Sequence, residues 1–200
     1  MNKKVLFGML GLAAGSLMAD NAVATFNPYV ELKGGYSILS KKDNLKYKNG
    51  FVGAVEFGVS YESWRLGLEV AYRQNKVKEG TSEFAKKFVE QYTKINALSA
   101  MINVYYDYAL TDECTLYVGA GLGAAKVSFE HKKTKVGQGK TVFAWQVMAG
   151  VAYDINENWT IQAGYRLFNT SKNKVSLDDK SGKVKMPFAS SIELGLRYNF

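Results

Sequence analysis

The stretch WRLGLEVAYR, residues 64–73, alternates strictly between two kinds of side chain. Large apolar side chains fill the even positions from Trp64 to Tyr72, whereas Arg65, Glu69 and Arg73 occupy odd positions. Because successive side chains of a β-strand point to opposite faces, one face of this strand is apolar and the other is charged. The stretch is therefore predicted to be a strand that separates an apolar environment from a polar one.

The same alternation recurs in eight segments between Pro28 and Phe200. Most segments are close to the length of about 9–11 residues that a tilted strand needs to cross a bilayer. The pattern predicts an all-β chain. The predicted strands cover residues 30–38, 51–61, 64–73, 98–106, 116–122, 145–153, 159–167 and 192–200.

Nine charged residues lie within these segments, and all nine have the parity opposite to the large apolar residues. A lipid-facing Arg or Lys costs about 2–4 kcal/mol at the bilayer midplane, so a membrane would enforce this sorting. A soluble β-sandwich also alternates, but it buries its apolar face. Five positive and four negative charges are nearly balanced, as a paired interior requires. The predicted interior charge network consists of Glu31, Lys33, Glu56, Arg65, Glu69, Arg73, Arg166, Glu193 and Arg197.

The connections between the segments alternate between long and short. The short ones cover residues 62–63, 107–113 and 154–158, and the long ones cover 40–49, 75–94, 130–140 and 169–187. Outer-membrane barrels have long outer loops and short periplasmic turns. Tyr and Trp residues also concentrate at the segment ends beside the short connections, where an interfacial girdle belongs. The predicted fold is an eight-stranded antiparallel up-and-down transmembrane β-barrel in a bacterial outer membrane, with both termini in the periplasm.

The N-terminal segment has the order of charges and small residues that is typical of an export signal. Lys3 and Lys4 precede an apolar stretch that ends near Leu17, and small residues follow it. The stretch is shorter than the roughly 20 apolar residues that a membrane-spanning helix needs. Residues 1–19 or 1–24 are predicted to be a signal peptide, with residues 25–200 forming the barrel domain. Cleavage after Ala24 gives the better small-residue pattern, whereas cleavage after Ala19 suits the length of the apolar stretch.

Several stretches resemble the family of small outer-membrane barrels that includes OmpX, the opacity proteins and the barrel domain of OmpA. The stretches are YVGAGLG (117–123), FAWQ (143–146), GVAYD (150–154) and WTIQAGYR (159–166). The C-terminal LGLRYNF, residues 194–200, resembles the assembly signal of that family. The resemblance implies that the barrel-assembly machinery recognises Tyr198 and Phe200. A peptidoglycan-binding domain of the OmpA kind has no counterpart here, so that role is not expected.

The long connections are rich in lysine. They hold 18 lysines against 7 acidic residues, whereas the short connections hold only acidic charges. Lysine clusters attract phosphate and carboxylate groups over long distances. Lys132, Lys133 and Lys135 are predicted to contact polyanions, either lipopolysaccharide or host glycans. The alternative interpretation is that these lysines only solvate the long loops.

The residue types that carry enzyme chemistry are scarce. His131 is the sole histidine, and it lies in a long connection beside Lys132. Cys114 is the sole cysteine, which excludes an internal disulfide and a C-x-x-C metal set. The sequence predicts a protein that is not an enzyme, binds no cofactor, metal or nucleic acid, and acts as a monomer.

The predicted function is therefore that of a surface protein acting in outer-membrane integrity, in adhesion to anionic surface molecules, or in both. One alternative is a narrow channel or conduit for small hydrophobic solutes, although eight strands leave an interior that side chains can fill. Another alternative is a lipid A-modifying enzyme, which the single loop histidine disfavours.

Overall fold

The computed structural model describes residues 26–39, 45–80, 92–131, 140–171, 173–177, 180–184 and 188–200. The predicted signal peptide and the predicted polyanion contacts Lys132, Lys133 and Lys135 lie outside these ranges. None of the described residues belongs to a helix with the length and hydropathy needed to span a membrane.

Ten strands are present in the described chain, and eight of them close into one barrel. Each of the eight contains one predicted segment, which confirms the predicted fold class of an eight-stranded antiparallel barrel. The other two, β8 (Asn173–Leu177) and β9 (Lys180–Val184), pair as a separate two-stranded sheet. The barrel strands are β1 (Asn27–Leu39), β2 (Leu45–Tyr61), β3 (Trp64–Gly80), β4 (Tyr92–Ala109), β5 (Cys114–His131), β6 (Lys140–Asp154), β7 (Trp159–Thr170) and β10 (Ala189–Asn199).

The first and last strands of the chain close the barrel. β1 pairs with β2 on one side and with β10 on the other, and Val30 lies directly opposite Tyr198 in the closing pair. β10 in turn pairs with β7, so the β8–β9 hairpin is an excursion between two neighbouring barrel strands. Closure gives each of the eight strands a partner on both sides, which is the condition for a sheet in hydrocarbon.

Side chains alternate between the outer wall and the interior along the barrel strands. In β3, Leu68 is 62% exposed, whereas its neighbour Glu69 is 1% exposed. The outer wall carries leucine, isoleucine, valine and aromatic side chains from all eight strands. An apolar surface of this extent is not tolerated in water and is the surface that a bilayer requires.

The two ends of the barrel differ. At one end, termed the short-turn end, residues 62–63, 110–113 and 155–158 join consecutive strands. Two of these turns are capped alike, since the N–H of Cys114 donates to Thr111 Oγ1 and the N–H of Trp159 donates to Asn156 Oδ1. Local side-chain caps of this kind fix tight turns. The opposite end is termed the long-loop end.

Several strands continue further towards the long-loop end than the alternation predicted. Lys48 belongs to β2, Lys76 to β3 and Lys94 to β4, so the prediction that they lie in loops is wrong. Part of the connection predicted at 169–187 also forms the β8–β9 hairpin. Beyond the hydrocarbon layer the lipid no longer sorts side chains by polarity, so the alternation ends before the strands do.

Aromatic side chains ring the barrel near the short-turn end, as predicted. Trp64 packs edge-on against Tyr106 with ring centroids 5.0 Å apart, and Trp159 packs in the same way against Tyr198 at 4.9 Å. Amphipathic rings favour the boundary between hydrocarbon and headgroups. This girdle therefore marks one interface of the membrane.

Candidate functional site

The interior of the barrel holds the largest concentration of charge in the described structure. The charged side chains buried there are the nine that share the polar parity. Glu31 and Glu56 are fully buried, and the most exposed of the nine, Arg197, is 9% exposed. Such burial is tolerated only where the charges are paired and hydrogen-bonded.

Glu69 lies at the centre of this network. Arg166 reaches it from the opposite wall of the barrel and donates two hydrogen bonds, with Nη1–Oε1 and Nη2–Oε2 distances of 2.5 and 2.9 Å. Lys33 Nζ lies 2.9 Å from Glu69 Oε2. The two-bond geometry orients both side chains and is stronger than a single contact. Glu69 thus ties β1, β3 and β7 together across the lumen.

Glu56 is a second acceptor, one strand away. Its Oε2 accepts hydrogen bonds from Lys33 Nζ at 2.9 Å, Tyr105 OH at 2.7 Å and Asn103 Nδ2 at 2.8 Å. Tyr29 OH donates to the other oxygen at 2.7 Å. Lys33 therefore bridges the two central carboxylates, and neutral donors complete the shell around Glu56.

Two further contacts extend the network towards β6 and β10. Arg166 Nη2 lies 2.8 Å from Glu193 Oε2, and Ser191 donates to the other oxygen of Glu193. Gln146 Nε2 donates to Glu69 Oε1 at 3.2 Å and to Asn103 Oδ1 at 2.8 Å. The central layer is thus a continuous set of hydrogen-bonded groups from six strands, β1 to β4, β6 and β7, with β10 joined through Glu193.

Arg65 belongs to a separate layer nearer the short-turn end. It donates from Nε and Nη2 to the two oxygens of Asp107 at 2.6 and 2.8 Å. Its guanidinium also lies 4.5 Å from the ring centroid of Tyr105 and 5.4 Å from that of Tyr117. The prediction that Asp107 lies in a short connection is wrong, because β4 continues to Ala109. Asp107 is half-buried and supplies the acidic partner that Arg65 lacks among the nine predicted charges.

The remaining three predicted charges have looser partners. Arg73 donates to Ser99 Oγ at 2.9 Å and stacks over Phe168, with 4.1 Å between the guanidinium carbon and the ring centroid. Glu31 lies 3.9 Å from both Lys33 Nζ and Arg65 Nη1. Arg197 donates to Thr160 Oγ1 at 3.4 Å. These distances place Glu31 and Arg197 at the margin of the paired network.

Side chains fill the middle of the barrel. A cavity of about 10 Å³ lies beside Lys33, Tyr105 and Arg166 at the central layer, which is about the volume needed for one water molecule. A bowl of about 810 Å³ opens at the short-turn end, with Arg65 and Arg197 among its lining residues. The described lumen is therefore an open bowl that ends on a packed polar layer.

Inward-facing glycines provide the space that these side chains occupy. A Cβ added to Gly67 would meet the Glu56 carboxylate at 2.5 Å, and one added to Gly195 would meet Glu31 Oε1 at 2.7 Å. Both distances are shorter than the contacts that real Cβ atoms make. The alternating glycines of the sequence thus have a packing role opposite the large carboxylates.

The neutral members of the network were not identified as site residues from the sequence, although each has the polar parity of its strand. Two of them are tyrosines, and a tyrosine ring is equally compatible with a position facing lipid, so residue type alone did not identify them. The hydroxyl and amide groups concerned belong to Tyr29, Asn103, Tyr105 and Gln146.

The other predicted residues lie away from the interior. Tyr198 stacks edge-on with Phe200 at 5.1 Å, and the N–H of Phe200 donates to the carbonyl of Pro28 at 3.0 Å. His131 ends β5, and its side chain is outside the described set. Within the described residues, no three His, Cys, Asp or Glu side chains are grouped to hold a metal ion.

A closed barrel with an apolar wall, an aromatic girdle and a polar interior is the architecture of a bacterial outer-membrane protein. Residues 7–200 match the family model of the outer membrane protein beta-barrel domain, and the chain belongs to this family.

Curated relatives include proteins of Salmonella typhimurium and Brucella melitensis. The chain is 27% identical over 122 residues to outer membrane protein PagN of Salmonella typhimurium, an alignment that covers 54% of this chain and 51% of PagN. It therefore spans about half the length of that relative. The 31 kDa outer-membrane immunogenic protein of Brucella melitensis is 24% identical over 231 aligned positions, covering 98% of this chain and 95% of the relative.

Solved structures share the fold. Neisserial surface protein A superposes with a TM-score of 0.60 at 19% identity, covering 88% of this chain and 97% of that one. OprG of Pseudomonas aeruginosa gives a TM-score of 0.58 at 15% identity, covering 87% of this chain and 96% of that one. At these identities the likeness concerns the fold alone.

Proposed function

We propose that the long-loop end faces the cell exterior and that the short turns and both termini lie in the periplasm. The even number of barrel strands places Asn27 and Asn199 at the same end as the short turns. Long outer loops and short periplasmic turns are the rule for outer-membrane barrels. The charge distribution supports the same orientation, since the lysines of the chain concentrate towards the long-loop end.

We infer that the protein is a non-enzymatic surface barrel whose interactions are made by its exterior rather than through its lumen. The observation that carries this proposal is the packed charge layer around Glu69 and Arg166, beside which lies a cavity of only about 10 Å³. A conduit for solutes needs a continuous open pore. A lumen lined by paired charges is also an unfavourable environment for hydrophobic solutes. The role of a channel or conduit is therefore less well supported than a role at the surface.

The proposed role has two parts. The closed and internally bonded barrel contributes to the integrity of the outer membrane, and its lysine-rich loops bind anionic molecules of the bacterial or host surface. The Brucella relative is described as immunogenic, which supports exposure of such loops to the exterior. Catalysis is not proposed, because the central carboxylates Glu56 and Glu69 are engaged by hydrogen-bond donors and His131 adjoins a run of lysines.

The loop part of the proposal is tested with the variant Lys132→Gln, Lys133→Gln, Lys135→Gln. The purified barrel in detergent micelles should bind immobilised heparin, and the variant should bind it more weakly with unchanged stability. Binding should weaken with salt because exposed charges are screened beyond about 8 Å at physiological ionic strength. The matched control replaces the same residues by arginine, which keeps the charge. Salt-independent binding, or equal binding by the glutamine variant, would overturn the role of these lysines.

A further inference from the structure

The bowl at the short-turn end is an open site whose lining the interior charge network does not account for. Its volume of about 810 Å³ falls within the range of about 300–1,000 Å³ that is usual for ligand sites, which also occur at the mouths of β-barrels. The three short turns and the adjoining strand ends line it. Every residue of these turns belongs to the described part of the chain.

The rim of the bowl is acidic. Each of the three short turns contributes at least one exposed carboxylate to the rim, and the side chains concerned are Glu62, Asp112, Glu113 and Glu157. No lysine is among the described residues that line the bowl. Four like charges at a mouth attract cations and repel simple anions. The rim taken alone therefore favours a cation.

The floor of the bowl has the opposite charge. Arg65 and Arg197 both line it, and Arg65 is neutralised by its two hydrogen bonds to Asp107. Arg197 is 9% exposed, and its Nε and Nη1 have no hydrogen-bond partner among the described residues. Its Nη2 makes one long bond of 3.4 Å, to Thr160 Oγ1. Because a buried guanidinium without a partner is unfavourable, Arg197 would be stabilised by a carboxylate from outside the barrel.

Glu31 does not supply that carboxylate, although β1 places it directly opposite Arg197. The oxygens of Glu31 accept no hydrogen bond from the described residues, and they lie 3.9 Å from Lys33 Nζ and from Arg65 Nη1. The charge of Glu31 is thus shared between two other cations. Arg197 is left with free donors at the floor of the bowl.

The floor and the rim are separated along the strands. Arg197 lies three residues before Phe200, and Arg65 lies three residues after Glu62. At about 3.4 Å per residue, about 10 Å of strand separates either arginine from the end of the barrel. A ligand that contacts both levels must carry a carboxylate at its leading end and a cation at about this distance behind it. Neither a simple anion nor a simple cation meets both requirements.

We propose that the bowl binds the free C-terminal end of a cationic peptide segment, with the peptide carboxylate at Arg197 and its lysine or arginine side chains at the acidic rim. A C-terminal carboxylate is a recurring element of peptide recognition. In an extended chain, a basic residue two or three positions before the carboxylate lies about 7–10 Å behind it, which matches the depth of the bowl. The compartment of the partner rests on the orientation proposed above, whereas binding itself does not.

The test uses the barrel in zwitterionic detergent micelles and the peptide KAKAA, labelled with a fluorophore at its N-terminus. Binding is measured by fluorescence anisotropy and compared with the same peptide carrying a C-terminal amide. The free carboxylate should bind about tenfold more tightly than the amide, because it adds a charged hydrogen bond. In the variant Arg197→Gln this preference should disappear, while the amide peptide binds equally to both proteins.

Two further variants separate a loss of charge from a failure to fold. Arg197→Lys keeps a cation at the floor and should keep the preference for the carboxylate. The rim variant replaces the four exposed acids by their amides, and it should weaken both peptides equally, by up to about fivefold for each ion pair lost. Its substitutions lie at exposed turn positions, so it should retain the heat-modifiable gel mobility of the folded barrel.

Equal binding of the acid and the amide peptide by the wild-type barrel would show an acidic surface without a carboxylate site, and would overturn the proposal. Equal binding of the peptide EAEAA, or an unchanged preference in Arg197→Gln, would overturn it as well. The loop variant at Lys132, Lys133 and Lys135 should bind KAKAA as the wild type does, and Arg197→Gln should keep its binding to heparin. Failure of the bowl is thereby distinguished from failure of the proposed loop function.

Discussion

Arg166 and Glu69 face each other across the full width of the barrel, from β7 and β3, and share two hydrogen bonds of 2.5 and 2.9 Å. The two strands are separated by three others in either direction around the closed sheet. A barrel of eight strands is narrow enough for two long side chains to meet at its centre. The pair is therefore a cross-barrel ion pair, and its loss should lower the stability of the whole barrel.

Replacing Glu69 by glutamine should lower the free energy of unfolding by about 3 kcal/mol, because a buried arginine then loses its main partner. Arg166 retains its ion pair with Glu193 in this variant, so the loss of stability should not exceed this value. The measurement is a urea titration of the folded barrel in lipid vesicles. Glu62→Gln, at an exposed turn position, is the matched control and should change stability by less than about 0.5 kcal/mol.

A double variant makes this prediction sharper. Combining Arg166→Met with Glu69→Gln should cost less stability than the sum of the two single losses, because both substitutions remove the same ion pair. Additive losses in the two single variants would show that the residues are not coupled in the membrane. Such a result would contradict the claim that Glu69 and Arg166 stabilise the barrel as a pair.

Substitution of Gly67 by alanine should also destabilise the barrel, by about 1–3 kcal/mol, because the new methyl group overlaps the Glu56 carboxylate. Gly53 provides the matched control, since a Cβ there has no atom within 4 Å. The two glycines lie on neighbouring strands, and the methyl group enters the interior at Gly67 and the outer face at Gly53. Comparable stability of both proteins in the same titration would argue against a tightly packed interior.

Deleting Phe200 should impair assembly while export continues. The residue closes the strand register through its N–H bond to Pro28, and its ring packs on Tyr198. Unfolded protein should accumulate in the periplasm, detected as loss of the heat-modifiable band on a gel. Phe200→Trp retains an aromatic terminus and should assemble normally. If the deletion variant reaches wild-type surface levels, the last residue is not an assembly signal.

The placement of side chains inside or outside could be predicted from the sequence, because lipid imposes a strong penalty on every misplaced charge. The nine interior charges followed from parity alone for this reason. Their pairing could not be predicted, since it depends on the register and closure of strands far apart in the chain. The partner of Glu69, for example, is Arg166 of β7, which lies 97 positions further along the chain.

Asp107 and Lys126 could not be placed from the alternation of apolar and polar residues. Both lie beyond the segments in which large apolar residues alternate, and both belong to strands that continue past those segments. Asp107 is the partner of Arg65, and Lys126 is exposed on the outer wall. The positions of both residues depend on how far their strands extend. Outside the hydrocarbon layer, strand length is set by hydrogen bonding to the neighbouring strands and leaves no alternation in the sequence.

The central claim is that paired side chains close the lumen, so that function resides on the exterior. Ion conductance of the purified protein in planar lipid bilayers tests it most directly. We predict no steady conductance above that of the bare bilayer, because the central layer is packed and the cavity beside it measures about 10 Å³. A stable, ohmic open state in most insertions of the wild-type barrel would contradict the closed lumen and favour a channel.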